Sequence, residues 1–393
     1  MQRFDFNNSD YVALFSSKRN GQRLLQSLID NTPILNANYG WALTQGRIAD
    51  APIPTNADGT ASFQIESRKL EAAPIMDLRS PLGDSHQMDA EGIDFYTATI
   101  PDFIARGWVE NASQRAYKER IFAQLGNSDR FIGAWVRDVV LTGVNSAKST
   151  LNNITAQLMT TGKIDFRGLG AGIYVGLYDA KIPQENFVKA GEKVWTAADC
   201  KILTQMRKIE DAYRDKRGGY EGPLVWKMTK KMYNETFLQN QEVRDLYISW
   251  CKANYVAYVE GMPITNEQFL KSFTDIQGIS PIEIVSEKER NKTRTTDTFV
   301  QGWADKIVVL RPAGDAVEFE YTDILDEEMV TKYGASSIDS VFASALNGLV
   351  KVMNTTTDNG RFKEWHTDVM MSAVPALLSF TNHVIVDTSV AGV

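Results

Sequence analysis

The chain is poor in the residues that usually do chemistry. It has two cysteines, Cys200 and Cys251, and three histidines, His86, His366 and His383, in 393 residues. The cysteines form no CxxC pair, which excludes a disulfide scaffold and fits folding in a reducing cytoplasm. No two histidines stand four apart and there is no HExxH motif, so the common zinc-hydrolase signature is missing. A phosphate loop is missing too. Gly162-Lys163 is followed by Ile164, not Ser or Thr, and Gln157 occupies the upstream glycine position. Gly168-Leu-Gly170-Ala-Gly172 lacks the third glycine of a dinucleotide fingerprint and reads as a glycine turn. No GxSxG elbow occurs. No window approaches the ~20 apolar residues of a membrane helix, and the first ten residues have no apolar run typical of a secretory signal. These absences lead to the expectation of no catalytic residue, no cofactor, no metal and no membrane contact.

What is present is material for a core. Hydrophobic residues make up 43% and aromatics 10%, while charged residues at 23% argue against wholesale disorder. The formal charge of −7 disfavours a sequence-reading nucleic-acid function, since phosphate neutralisation needs a basic face. The mixed run Glu287-Lys-Glu-Arg-Asn-Lys-Thr-Arg294 suits an exposed hairpin loop. Asp326-Glu-Glu328 suits the first turn of a solvated helix, expected over Asp323–Tyr333.

Residues 1–42 read as an arm with a short helix around Arg19–Leu28. From Tyr39 to Asp94, turn chemistry at Ala51-Pro-Ile-Pro54 and Asn56-Ala-Asp-Gly59 separates strand-like Trp41–Ile48 from the alternating Ser62-Phe-Gln-Ile-Glu66. This predicts a long two-stranded excursion with little core of its own. Such a hairpin is marginal in water, so either a neighbour covers it or it is a loose surface feature. Phe63, Ile65 and Ile75 are its candidate inter-subunit residues.

The clearest periodicity follows. Ile132, Val136, Val140, Val144, Ala147, Leu151, Ile154 and Leu158 step by four or three along one helix face. A helix over about 129–161 is predicted, with Ser128 as N-cap and Gly162 as the left-handed C-cap. Gly143 leaves open a bend or a break into two helices. Further on, Thr196–Lys216 is an amphipathic helix carrying Cys200, Leu203, Met206, Ile209 and Tyr213 on one face. Pro223–Met228 is a strand, Asn240–Tyr258 a helix, and Pro281–Ser286 and Lys306–Leu310 are short strands. Asp368–Ser389 reads as strands returning to a formed core. The class is α+β.

Arm, hairpin, long helix, α/β insertion and return, in that order, resemble the HK97-like capsid fold of tailed-phage major capsid proteins. Leu158-Met-Thr-Thr-Gly162-Lys-Ile-Asp165 is similar to the end of the spine helix in the lambda-type (major capsid protein E) branch. Gly191-Glu-Lys-Val-Trp195 resembles that branch's entry to the A-domain, and Pro223-Leu-Val-Trp226, followed by a helix, resembles its strand-then-helix step. Ser372-Ala-Val-Pro375-Ala-Leu-Leu378, with Val384 and Val386, is similar to its C-terminal close. The resemblance implies an N-terminal arm (1–42), an E-loop (43–95) and a P-domain (96–195) whose spine core includes Ile132, Val136, Val140, Leu151, Ile154 and Leu158. It further implies an A-domain (196–358) and a return to the P-domain (359–393).

The implied function is structural. Copies would assemble in the bacterial host cytoplasm into hexamers and pentamers of an icosahedral virion shell around double-stranded DNA contacted without sequence preference. A portal protein is an implied partner. Some family members carry a scaffolding extension of ~100 residues, against about 40 residues before the hairpin here, so the resemblance implies a separate scaffolding protein. An encapsulin-like nanocompartment shell, or an enzyme with an unrecognised site, is the alternative.

Overall fold

The computed structural model describes residues 21–31, 41–56, 60–71, 93–111, 140–166, 177–257, 264, 267–270, 278–285, 288–292, 297–323, 338–358 and 363–392. Among the expected features, Ile75, His86, Ser128, Ile132, Val136, the glycine turn at 168–172 and the acidic run at 326–328 lie outside these residues. The chain is a mixed α+β protein.

In chain order, helix α1 (Gly21–Asp30) precedes strands β1 (Gly46–Ile48), β2 (Ser62–Arg68), β3 (Ile93–Thr99) and β4 (Asp102–Asn111). Helix α2 (Leu141–Thr161) leads into β5 (Lys163–Asp165), β6 (Leu177–Asp179) and β7 (Phe187–Ala190). Helix α3 (Ile202–Asp215), β8 (Leu224–Thr229), a π-helical turn (Met232–Phe237) and α4 (Gln241–Ala253) follow. The rest is strand: β9 (Ile282–Val285), β10 (Lys288–Lys292), β11 (Asp297–Gln301), β12 (Ile307–Pro312), β13 (Val317–Tyr321), β14 (Ile338–Ala345), β15 (Val350–Asp358), β16 (Lys363–Leu377) and β17 (Val384–Ala391). Within the mixed-charge run expected as a hairpin loop, Lys288–Lys292 is instead strand β10, paired antiparallel with β11.

Two sheets organise the molecule. The larger has the order β1-β13-β16-β15-β14, with β4 also paired to β16. The smaller has the order β7-β17-β12-β8-β9. Each supports its own apolar core. The first core holds α1, α2, the inner faces of β2 and β3, and the large sheet. The second holds α3, α4, β8 and the C-terminal Val384 and Val386. Strand β12 serves both. Its period of two sends Val309 into the first core and Val308 and Leu310 into the second.

Helix α2 is the buried axis of the first core. Val140, Val144, Leu151, Ile154 and Leu158 are each no more than 1% exposed, and Ala147 is buried with them. The stripe therefore lies inward over 140–161, the described part of the expected helix. Over the described residues the helix holds from Leu141 through Gly143 to Thr161, and a close approach explains that glycine. A Cβ placed there would stand 2.3 Å from Cγ2 of Val369 on β16. At the far end Gly162 adopts φ +71° and donates its N–H to the Leu158 carbonyl at 2.8 Å, closing the helix as a left-handed cap. Elsewhere a mid-helix Gly→Ala change stabilises by up to ~1 kcal/mol. Here Gly143→Ala is expected to destabilise by about 1–3 kcal/mol, because the added methyl overpacks the contact with Val369. The urea midpoint of unfolding reads this, and a stabilised variant would contradict the close packing of α2 on β16.

The arm helix α1 packs on this chain's own sheet. Leu25, Leu28 and Ile29 are buried, and the Gln26 side-chain amide bonds both the N–H (2.8 Å) and the carbonyl (3.0 Å) of Ser344 on β14. That amide occupies an edge position a further strand would otherwise take.

Two sequence expectations need correction. The excursion over 43–95 does not begin at 43. Gly46–Ile48 pairs in parallel with Val317–Phe319, and Ile53 bridges Thr322, so this stretch completes the large sheet. The hairpin proper is β2 with β3. The packing also departs from the expected boundary at 358, since β13, β14 and β15 pack with α2 in the first core rather than with α3 and α4.

Candidate functional site

The hairpin carries two unlike faces. Phe63, Ile65, Tyr96 and Ala98 point into the first core. Phe63 is 7% exposed and lies edge-on to Tyr178, and Ile65 is 8% exposed. This corrects their expected role as inter-subunit contacts, because alternation in β2 turns both side chains onto their own chain. The outer face belongs to β3. Phe95 is 62% exposed and Ile93 44% exposed, opposite Glu66 and Arg68 across the ladder. A lone exposed apolar residue is ordinary. Two at i, i+2 on one face of a projecting ladder form a strip.

The base of this hairpin is fixed by polar contacts. The Tyr96 hydroxyl accepts from the Leu377 N–H and from the Tyr178 hydroxyl, each at 2.8 Å. Burial pushes the Tyr96 hydroxyl above the ordinary phenol range, so it stays a neutral donor and acceptor. At the end of β2, the Ser67 and Thr381 hydroxyls meet at 2.7 Å. Asn382 clamps the next residues, accepting from the Leu70 N–H at 2.9 Å and donating to the Arg68 carbonyl at 2.7 Å. The strip is therefore displayed from a rigid root.

A second polar constellation joins the two cores. His383 is fully buried, and its Nε2 donates to the Met159 carbonyl of α2 at 2.7 Å. A carbonyl only accepts, so the proton sits on Nε2, and Nδ1 has no partner among the described residues. Burial lowers this imidazole to about 3, reinforced by the charges of Arg311 and Lys227. Arg311 is itself buried, giving its N–H groups to the carbonyls of Pro312 (3.1 Å) and Asp315 (2.8 Å), and burial brings it down to about 10. Lys227 on β8 donates to Gln45 and pairs with Glu283 at 2.6 Å, tying the second sheet to the turn before β1. His383 and Lys227 tie the cores together through hydrogen bonds. None of these groups is arranged as nucleophile, base and orienting partner. Among the described residues, no three His, Cys, Asp or Glu side chains converge as a metal site, and no helix is long and apolar enough to cross a membrane.

Of the expected site residues, Val140, Leu151, Ile154 and Leu158 converge in the core, Phe63 and Ile65 join them, and Ile75, Ile132 and Val136 lie outside the described residues. Sequence reasoning missed Ile93 and Phe95, although the alternation of Ile93, Phe95 and Thr97 is visible.

No family model matches the chain, and no curated protein does. Among solved structures it is similar to one named as the capsid protein of a prophage of E. coli CFT073, at 14% identity over 93% of this chain and 98% of that one, with a TM-score of 0.47. It is similar to a chain of the satellite phage P4 procapsid, at 9% identity over 94% of this chain and all of that one, TM-score 0.43. A third likeness is to a capsid chain of cyanophage A-1(L), at 9% identity over 90% and 94%, TM-score 0.43.

Proposed function

We propose that this chain is a shell subunit, the major capsid protein of a tailed bacteriophage with an HK97-like fold, whose copies close into hexamers and pentamers around double-stranded DNA. The observation that carries this is the hairpin of two faces. One face is locked into the chain's own core, while the other offers Ile93 and Phe95 to solvent. The ordered motifs from the spine helix to the C-terminal close support the same reading. In it, α2 is the spine of the P-domain and α3, α4 and the smaller sheet form the A-domain. The hairpin is the E-loop, laid on a neighbouring copy through Ile93 and Phe95 in place of Phe63 and Ile65.

Covering both side chains removes apolar area worth roughly 2–4 kcal/mol at ~25 cal/mol per Å², part of which association costs take back. Repeated around a ring, such contacts add up, and a head-to-tail interface makes a ring where its rotation closes. A separate scaffolding protein and a portal protein are the partners of this reading, assembly takes place in the host cytoplasm, and the virion capsid is the destination.

The test is the double variant Ile93→Asp, Phe95→Asp. Both positions are exposed, so the chain is expected to keep its circular dichroism spectrum and melting temperature while closed particles disappear from gradients and electron micrographs. Normal particles from this variant would remove the hairpin from the assembly mechanism.

A further inference from the structure

A cleft of about 690 Å³ opens between α3, β7 and the turn that joins them. Its floor is apolar, formed by Val188, Ile209, Tyr213 and Val384. Its rim is cationic. Three carboxylates line it, and each already has a cation: Asp199 has Lys193, Glu192 has Lys208 at 3.2 Å, and Glu185 has Lys69 at 4.0 Å. Arg217 is also committed, lying 3.7 Å over the Tyr213 ring and donating to the Thr381 carbonyl. The amino end of α3 is closed by Glu242, which accepts from the Leu203 N–H at 2.8 Å. Lys189, Lys201 and Lys216 remain, exposed and without an ion pair among the described residues. A chain of formal charge −7 thus keeps around one apolar trough three ammonium groups that no carboxylate among the described residues pairs.

Such a trough suits an occupant that is both acidic and apolar over a few residues. Duplex DNA supplies charge without an apolar face. Residues 323–330 read Asp-Ile-Leu-Asp-Glu-Glu-Met-Val, four carboxylates with four apolar side chains. They leave the end of β13, where Asp323 lies 3.8 Å from Lys351, in the first core, whereas the cleft belongs to the second. We propose that the cleft receives residues 323–330 of a second copy of this chain. The inference rests on the shell reading and names a second, electrostatic contact within it. Complementary charge of this kind sets register and encounter rate more than affinity, and it weakens with salt.

Two measurements test it. A fluorescent peptide of residues 321–333 is titrated against the unassembled full-length chain. Binding is expected, weakened at least tenfold by Lys201→Glu with Lys216→Glu, and weakened by the same order when Asp326, Glu327 and Glu328 of the peptide become Asn, Gln and Gln. No binding, or binding indifferent to these changes, overturns the docking and leaves the shell reading standing, since no shell is needed. The second measurement is charge exchange. Chains bearing Lys201→Glu and Lys216→Glu, and chains bearing Glu327→Lys and Glu328→Lys, are expected to lose particles separately and regain them when mixed. Restoration only when all four changes sit on one chain would mean docking within the chain and would overturn the second-copy assignment. Tighter binding of a short DNA duplex than of the peptide, abolished by the lysine changes, would assign the cleft to nucleic acid and overturn it as well. Unchanged melting of each unassembled variant separates loss of docking from loss of fold.

Discussion

Leu151→Asp is expected to yield no folded protein. Leu151 sits mid-length in α2 with no exposed surface, surrounded by the apolar side chains of the first core. An aspartate there either buries an unpaired charge or takes up a proton to avoid it, and loses the leucine's transfer energy in both cases. The combined penalty of several kcal/mol is comparable to the whole stability of a typical domain, ~5–15 kcal/mol. Leu151→Met nearly conserves volume and should cost under ~1.5 kcal/mol. The comparison is made by soluble yield and thermal melting. Soluble, cooperatively melting Leu151→Asp protein would mean that this helix face is not core.

The second large effect is on acid stability. Free histidine titrates near 6.5, and buried His383 is held down to about 3. Between these values the unfolded chain binds a proton that the folded chain refuses, so stability rises with pH through this window. The contribution is fully present above 6.5 and is lost as pH falls toward 3. From pH 7.5 to 5, before most carboxylates titrate, the loss is about 2 kcal/mol from this group alone. Urea unfolding should show it directly. His383→Gln should be less stable at pH 7.5, where the packed imidazole is missing, yet its midpoint should fall much less on going to pH 5. Parallel pH profiles for the two proteins would show that His383 is not the group responsible.

The sequence made some of this legible and hid the rest for physical reasons. The α2 stripe was readable because helical spacing and a glycine cap report burial and termination independently, and both hold over Val140–Gly162. The closing strands were readable because Val384 and Val386 alternate within an apolar run. The direction of the hairpin was not. A period of two says that Phe63 and Ile65 share a face, but it does not say whether that face turns toward the same chain or a neighbour. Strand β1 falls within the strand-like Trp41–Ile48, but its place in the large sheet was not readable, because it depends on Val317–Phe319, far along the chain. Buried Lys227 looks like surface charge in the sequence, because the Gln45 amide and the Glu283 carboxylate that satisfy it come from other segments. The cationic cleft is likewise assembled from residues between 185 and 217 together with 384 and 392.

The central claim is that the outer face of the β2–β3 hairpin is completed by another copy of this chain. Electron cryomicroscopy of the particles formed by the unmodified protein tests it most directly. The expected map shows a closed shell in which Ile93 and Phe95 of every subunit are covered by a neighbour. A protein that stays monomeric at high concentration, or a shell that leaves both side chains facing water, would contradict the account.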